Sequence, residues 1–216
     1  MIHRAAMTCV ELSATFLFMT KLPRRVDCLP ASFFARSTEI VAKTLIGHAI
    51  VHRHDDTWIG GQIVETEAYL ADGDLASHSS RGRTKSNNSM FESAGTLYVY
   101  PIHAKVCMNV VTEEIDHGAA VLIRAIRPIW GIEQMKLHRG YQDIRRLTRG
   151  PAMMCQALQV DRGHDGINLL SSKTFRIAKI AEKDDFTVDA SPRIGISTAK
   201  EQLLRFTLRG SRFLSR

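Results

Sequence analysis

The stretch IVETEAYLADGDLASHSSRGRT, residues 63–84, holds the densest set of side chains able to do chemistry. Glu65 and Glu67 stand two apart in an otherwise apolar run, and Tyr69 follows. A polar segment then carries Asp72, Asp74, His78, Arg81 and Arg83. A carboxylate beside an aromatic ring suits a general base in a half-dry pocket, because burial raises its pKa and a nearby cation can restore the charge. Strict alternation would put Ile63, Glu65, Glu67 and Tyr69 on one strand face and Val64, Thr66, Ala68 and Leu70 on the other, the natural core side. The competing reading is an open strand face whose glutamates are merely solvated.

Arg124 interrupts the apolar run AAVLIRAIRP. An unpaired buried guanidinium is expensive, so an anion should meet it, either a carboxylate such as Glu67 or a phosphate; a purely structural ion pair would satisfy it equally. In TLYVYPIHAKVCMNVV, Tyr98 and Tyr100 share a strand face, and Asn109 is a polar residue among apolar ones. Aromatics interleaved with basic residues stack unpaired bases, although ordinary core aromatics would look the same. Asp72, Asp74 and His78, with Glu67, also have a spacing open to Mg²⁺ or Zn²⁺, one that polar loops often produce by chance.

Several elements must position these groups. STEIVAKTLIG reads as a helix capped by Ser37, with Ile40, Val41, Thr44 and Leu45 as its stripe and Gly47 as its stop. HAIVHR and GGQIVETEAYL read as paired strands around the turn HDDTW. TLYVYPI, KVCMNVVT and AAVLIRAI follow as three more strands, and TFRIAKI, PRIGIS and LRFTLRG as short late ones. IWGIEQMKLH and GPAMMCQALQ read as helices, with Pro151 suited to a first turn. Residues 71–95 form a long polar loop, a length that is usually functional or disordered. Strands crowd the middle without βαβ alternation, which predicts a single α+β domain: a curved antiparallel sheet flanked by helices over residues 29–216. Residues 1–28 are expected to be a poorly structured extension, with Met19 an alternative start.

The 216 residues, 44% hydrophobic, suffice for one sizeable core. A formal charge of +7 points to polyanions, nucleic acid above all. The four cysteines form no CxxC pair and no zinc spacing, which fits a reduced cytoplasm. No apolar run approaches the ~18 residues of a membrane span.

In order and spacing, QIVETEAYL, ASHSSRGRT, NNSMF, GTLYVY, CMNVV, AVLIRAIRP, GP…CQAL, PRIGI and RF…RG resemble the alkyladenine (3-methyladenine) DNA glycosylases, mammalian-type and bacterial. The resemblance runs from residue 30 to 216 and implies an enzyme that flips a damaged purine out of duplex DNA and hydrolyses its N-glycosidic bond. It implies Glu67 as the base that activates water, with Glu65 as its structural neighbour. Arg124 would help to hold that water and the nucleotide backbone. Tyr69, His78 and Tyr100 would sandwich the base, and Asn109 would exclude guanine. His103, Lys105, Arg81 and Arg83 are the expected DNA contacts. Neither cofactor nor metal is implied. The expected partner is double-stranded DNA carrying damaged purines, met by a monomer at the nucleoid. The alternatives are a metal-dependent nuclease and a non-catalytic binder of damaged DNA.

The chain departs from this family in YVYPIHAK. There His103 replaces the tyrosine that fills the gap left by the flipped nucleotide, and Pro101 replaces an aliphatic residue. Proline removes a ladder donor, so this strand should be an edge or carry a bulge. Met153 stands where relatives carry lysine.

Overall fold

The alternating segments of the chain fold into eight strands: β1 Ala49–His54, β2 Thr57–Tyr69, β3 Leu97–Ile102, β4 Lys105–Thr112, β5 Ala119–Trp130, β6 Phe175–Ala178, β7 Val188–Ser191 and β8 Arg205–Leu208. Every pairing is antiparallel, in the order β3-β4-β5-β2-β1-β6, with β8 joined to β2 and β7 to β8. Among the described residues, four α-helices complete the α+β domain: α1 Ala31–Phe34, α2 Thr38–Leu45, α3 Ile132–Arg139 and α4 Pro151–Ala157. The computed structural model describes residues 27–180 and 187–215, so the extension expected over 1–28 lies outside the described residues except for Asp27 and Cys28. Cys28 bridges Ala178 at the sheet margin. No helix among the described residues is long and apolar enough to cross a membrane.

Alternation on the central strands sorts their side chains into two layers. Leu97 and Val99 of β3, Met108 and Val110 of β4, and Val121 and Ile123 of β5 join the main core with residues of α2 and α4. Tyr98, Val111 and Ala120 face the opposite way and gather Met90 and Phe91 from the long loop, with Tyr69 and Tyr100 at the margin. The first layer holds the fold together, and the second forms the floor of a cleft.

β2 breaks the alternation. Its register against β5 shifts between Gly60 and Gly61, between Ile63 and Glu65, and between Glu65 and Thr66. Val64 on β2 and Arg124 on β5 are thereby left without a register partner. Ile63 accordingly packs in the main core with Ala68, five residues away, an odd separation that strict alternation forbids. The expected four-residue face of Ile63, Glu65, Glu67 and Tyr69 is therefore corrected: the bulge removes Ile63 from it. Bending also needs room. A Cβ on Gly61 would meet the Arg127 carbonyl oxygen at 2.0 Å, and one on Gly60 the Ile50 carbonyl oxygen at 2.2 Å.

Three further expectations change. Ser37 sits at the N-cap of α2 but makes no side-chain cap; Glu113 does so from across the fold, accepting the Thr38 N–H at 2.8 Å. Ile40 and Thr44, expected in the apolar stripe, are exposed, Ile40 by 50%, and Thr38, Val41, Ala42 and Leu45 are the buried residues. PRIGIS is not a strand, because β7 ends at Ser191 and the following residues turn into the cleft. β3 lies at the edge of the sheet, where Pro101 removes no ladder donor that a neighbour needs.

On β1, the ring of His52 stacks on Phe175 at 4.8 Å, and its Nδ1 meets the Leu158 carbonyl at 2.7 Å. That tautomer leaves Nε2 as an acceptor for His164 Nε2, 3.3 Å away; a second proton on His52 would set two N–H groups against each other. Burial lowers the His52 pKa below the ordinary 6.5, the Leu158 carbonyl opposes this, and the nearby His164 adds to the lowering. Unfolded His52 binds a proton below pH 6.5 that the folded ring refuses, so stability is full above that pH and falls as the pH drops toward the folded-state value. His117 titrates in the opposite sense, but its side chain is 37% exposed and salt screens it. The urea midpoint should decline from about pH 7.5 to about pH 5.5 in moderate salt, and His52→Gln should flatten that decline.

Candidate active site

A row of side chains crosses four strands on the open face of the sheet. Tyr98 pairs with Asn109, Asn109 with Leu122, and Leu122 with Glu67; on its other edge Glu67 pairs with Arg205 of β8. Above this row lies a cleft of about 960 Å³. Tyr69, His78, Tyr98, Tyr100, Asn109 and Arg124 all line it, with Arg81, Leu75 and Ile102 nearer its mouth.

The two glutamates are fully buried, which overturns the reading of them as a solvated strand face. Arg124 joins them: its Nε donates to Glu65 Oε1 at 2.9 Å and its Nη1 to Glu67 Oε2 at 3.0 Å. The anion awaited by Arg124 is thus a pair of carboxylates, and the β5 irregularity at Arg124 aims it at both. Glu65 is saturated. It also accepts Arg205 Nε at 2.8 Å, the Ser215 N–H at 2.5 Å and the Ser215 hydroxyl at 2.6 Å. Burial pushes the Glu65 pKa up, and the hydrogen bonds from Ser215, then Arg205 and the Arg124 charge, outweigh it and hold the group below the usual range.

Glu67 lies one layer beneath the cleft surface, gripped by three groups that line the cleft. Tyr69 OH donates to Oε2 at 3.1 Å, Arg124 Nη1 shares that oxygen, and the Ile194 N–H donates to Oε1 at 2.7 Å. Each carboxylate oxygen has two acceptor sites, so Oε1 keeps one for a further donor. The Tyr69 hydroxyl remains protonated: burial and then the Glu67 charge both raise its pKa.

The aromatic wall is continuous. His78 Nδ1 meets Tyr98 OH at 2.8 Å, and the His78 ring stands edge-on to Tyr100 with centroids 4.5 Å apart. Those two rings touch, so a planar group cannot enter between them; together they form part of the cleft wall, which Tyr69 also lines. Desolvation and then the charge of Arg81 lower the His78 pKa, leaving a neutral imidazole at pH 7. Asn109, 3% exposed, donates through Nδ2 to the Tyr98 carbonyl at 3.0 Å, which fixes its amide in the cleft floor.

The long loop is ordered by buried polar anchors. Asp74 accepts the N–H groups of Leu70 and Ala76 and forms a fork with Arg193, Nη1 to Oδ2 at 2.6 Å and Nη2 to Oδ1 at 2.7 Å. Asn87 donates to the carbonyls of His78 and Gly82. Asp72 instead pairs at the surface with His117. The proposed metal set of Glu67, Asp72, Asp74 and His78 is therefore not brought together, each member having another partner. No group of three such ligands occurs among the described residues.

The expected DNA contacts divide. His103 is exposed at the tip of the two-residue β3–β4 turn, with φ of 51°. Lys105, also exposed, has Nζ 3.5 Å from Met153 Sδ, so an expected DNA contact touches a residue that departs from the resemblance. Arg81 lines the cleft, whereas Arg83 is engaged with Asn88, Glu92 and Asp116. Three participants escaped sequence reasoning. Arg193 carried the signal that found Arg124, a lone arginine among apolar residues. Arg205 and Ser215 carried none, because only the fold brings them to Glu65.

A buried carboxylate beneath an aromatic cleft on a basic protein is an arrangement able to receive a flat ring, as an enzyme that works on nucleobases requires. The comparisons make this specific. Residues 32–212 match the methylpurine-DNA glycosylase family model. A relative from Rhodopirellula baltica is 46% identical over 192 residues, covering 87% of this chain and 82% of its own. Relatives from Methanoculleus marisnigri and Legionella pneumophila are each 42% identical, covering 87% of this chain and 98% of theirs. All three are provisionally named 3-methyladenine DNA glycosylases. The chain belongs to the methylpurine-DNA glycosylase family and is a monofunctional base-excision-repair glycosylase, a hydrolase of N-glycosidic bonds in DNA.

Ser215→Ala should raise the Glu65 pKa and leave Arg124 Nη2, which now donates to Ser215 Oγ at 3.0 Å, without that acceptor. The Glu65 contribution is present above its unfolded value of 4.5 and is lost as the pH falls through the lower folded value. The variant should be less stable at pH 7 by about 1–2 kcal/mol, and its acid-unfolding midpoint should move to higher pH in a circular-dichroism titration.

Proposed function

We propose that this enzyme excises alkylated purines, 3-methyladenine foremost, and also hypoxanthine, from duplex DNA, acting as a monomer at the bacterial nucleoid through its 29–216 domain. The observation that carries this reading is the Glu67 carboxylate, held by Arg124, Tyr69 and Ile194 directly beneath an aromatic cleft. Duplex DNA must release the nucleotide before chemistry, at a cost of a few kcal/mol that is least for a damaged base. The purine slides between Tyr69 on one side and His78 with Tyr100 on the other. A cationic alkylated ring gains cation–π attraction there, and neutral His78 does not repel it. Asn109 on the floor meets the purine edge and rejects the exocyclic amino group of guanine. Hypoxanthine, being neutral, is recognised by shape and by hydrogen bonds near the His78 backbone.

Bond cleavage builds oxocarbenium character on the sugar. Glu67 stabilises that charge and takes the proton of an attacking water at its remaining Oε1 site, while Arg124 orients both the water and the sugar-phosphate. No lysine among the described residues lines the cleft, in keeping with hydrolysis rather than Schiff-base chemistry. The engagement of Asp74 with Arg193 favours this reading over a metal-dependent nuclease.

The test is single-turnover release of 3-methyladenine and hypoxanthine from duplex DNA in EDTA. Wild type should release both, and Glu67→Gln should be slower by about 10²–10⁴-fold. Full activity in the variant, or loss of wild-type activity to EDTA, would refute the assignment. At the hairpin tip, His103 and its neighbour Ile102, which is 40% exposed, are proposed to fill the vacated stack. His103→Ala should lower the 2-aminopurine signal of the flipped state, and an unchanged signal would remove His103 from that role.

A further inference from the structure

A second cleft, of about 530 Å³, opens on the far side of Arg124. Arg124, Asp143, Arg146, Arg149, Gly150, Pro151 and Ser215 line it, and Arg124 and Pro151 also line the base cleft. The two clefts therefore meet along one short saddle. Arg124 is neutralised on its glutamate side, where Glu65 and Glu67 face Arg124 and Arg205. Among the described residues, neither Arg146 nor Arg149 is paired with a carboxylate. The one acid among the described residues of the cleft, Asp143, accepts the Arg145 N–H at 3.0 Å and faces the Arg145 side chain at 3.9 Å.

The two arginines are also held in place. The Arg149 backbone bridges Ala125, the residue after Arg124, and its Nε donates to the Leu214 carbonyl at 2.9 Å. That bond uses the inner edge of the guanidinium and leaves the outer fork for a ligand. The Arg146 guanidinium lies 4.0 Å from the Tyr141 ring centroid. Two guanidinium forks lining one polar cleft have the chemistry to receive a tetrahedral oxyanion.

We infer that Arg146 and Arg149 seat a phosphodiester of the strand that carries the extruded nucleotide, so that one nucleotide straddles the saddle with its base in the first cleft and its phosphate in the second. This rests on the base-excision reading above. Fixing the phosphate holds the sugar over Arg124 and Glu67, where the bond must break. Arg124 then serves both clefts through one guanidinium.

The experiment is a neutral-linkage scan. Lesion-containing duplexes carry a single methylphosphonate at each of the three linkages on either side of the lesion. Binding to wild type, Arg149→Gln and Arg146→Ala is followed by fluorescence anisotropy across a salt series. Arg149→Gln keeps a donor for the Leu214 carbonyl. Arg146 donates no hydrogen bond to the described residues, so its loss leaves the fold intact. Each variant should bind the all-phosphate duplex roughly tenfold more weakly and lower the salt slope by about 1. One linkage should weaken wild type by a similar factor while leaving the variants unaffected. A flat scan, or a linkage whose effect persists undiminished in both variants, would overturn the inference. So would a flat scan in which inorganic phosphate, at constant ionic strength, binds wild type but not the variants, because the cleft would then serve free phosphate. Base release by wild type on the same duplexes reports separately on the proposed activity.

Discussion

The arrangement rests on one buried ion network, the grip of Arg124 on Glu65 and Glu67. Removing three charged groups from water is costly, and their attraction offsets the cost only where every lone pair and proton has a partner. The fold supplies most of those partners by converging on two adjacent strands. Arg205 comes from β8 and Ser215 from the last turn of chain, while Ile194 comes from the segment between β7 and β8. Such a network is weak evidence for stability, since apolar residues of equal volume would hold the sheet together as well. What it provides is a carboxylate fixed in position beneath a cleft, with few ways to move.

Backbone irregularity makes the grip geometrically available. A regular β2–β5 ladder would set Arg124 in ordinary register and leave its guanidinium facing one neighbour. The shifts at Val64 and Arg124 turn the strands so that one guanidinium reaches both acids. The paired glycines earlier in β2 accompany the same bend, since side chains there would strike the backbones of β1 and β5. Curvature of the sheet and placement of the site are one feature, encoded by small residues at some positions and charged ones at others.

The long loop and the carboxy-terminal segment play parallel parts. Each would be free polar chain if considered alone, and each is held by buried charge. Asp74 ties the loop to Arg193, and Arg193 also stacks over the Tyr69 ring, with Cζ 4.8 Å from its centroid, so loop anchor and cleft wall support each other. Ser215 in turn closes the open side of Glu65. The aromatic wall is thus held from behind before any ligand arrives, which reduces the reorganisation required at the moment of reaction.

The sequence by itself determined what depends on local pattern and composition. Periodicity placed the strands around Glu65, Tyr98, Asn109 and Arg124, and the helices of GPAMMCQAL and STEIVAKTLIG. Proline at residue 101 marked an edge strand, and a lone arginine in an apolar run announced a buried anion. Ordered motifs pointed to a family that methylpurine-DNA glycosylase relatives then established. Tertiary structure alone decided which anion Arg124 meets, that Glu113 rather than Ser37 caps α2, that Asp74 serves Arg193, and that Ser215 enters the site. Those outcomes join residues 59 to 150 positions apart. Local propensity extends over a few residues, whereas the partner of a buried charge is chosen by whichever segments the packed core brings within hydrogen-bonding distance.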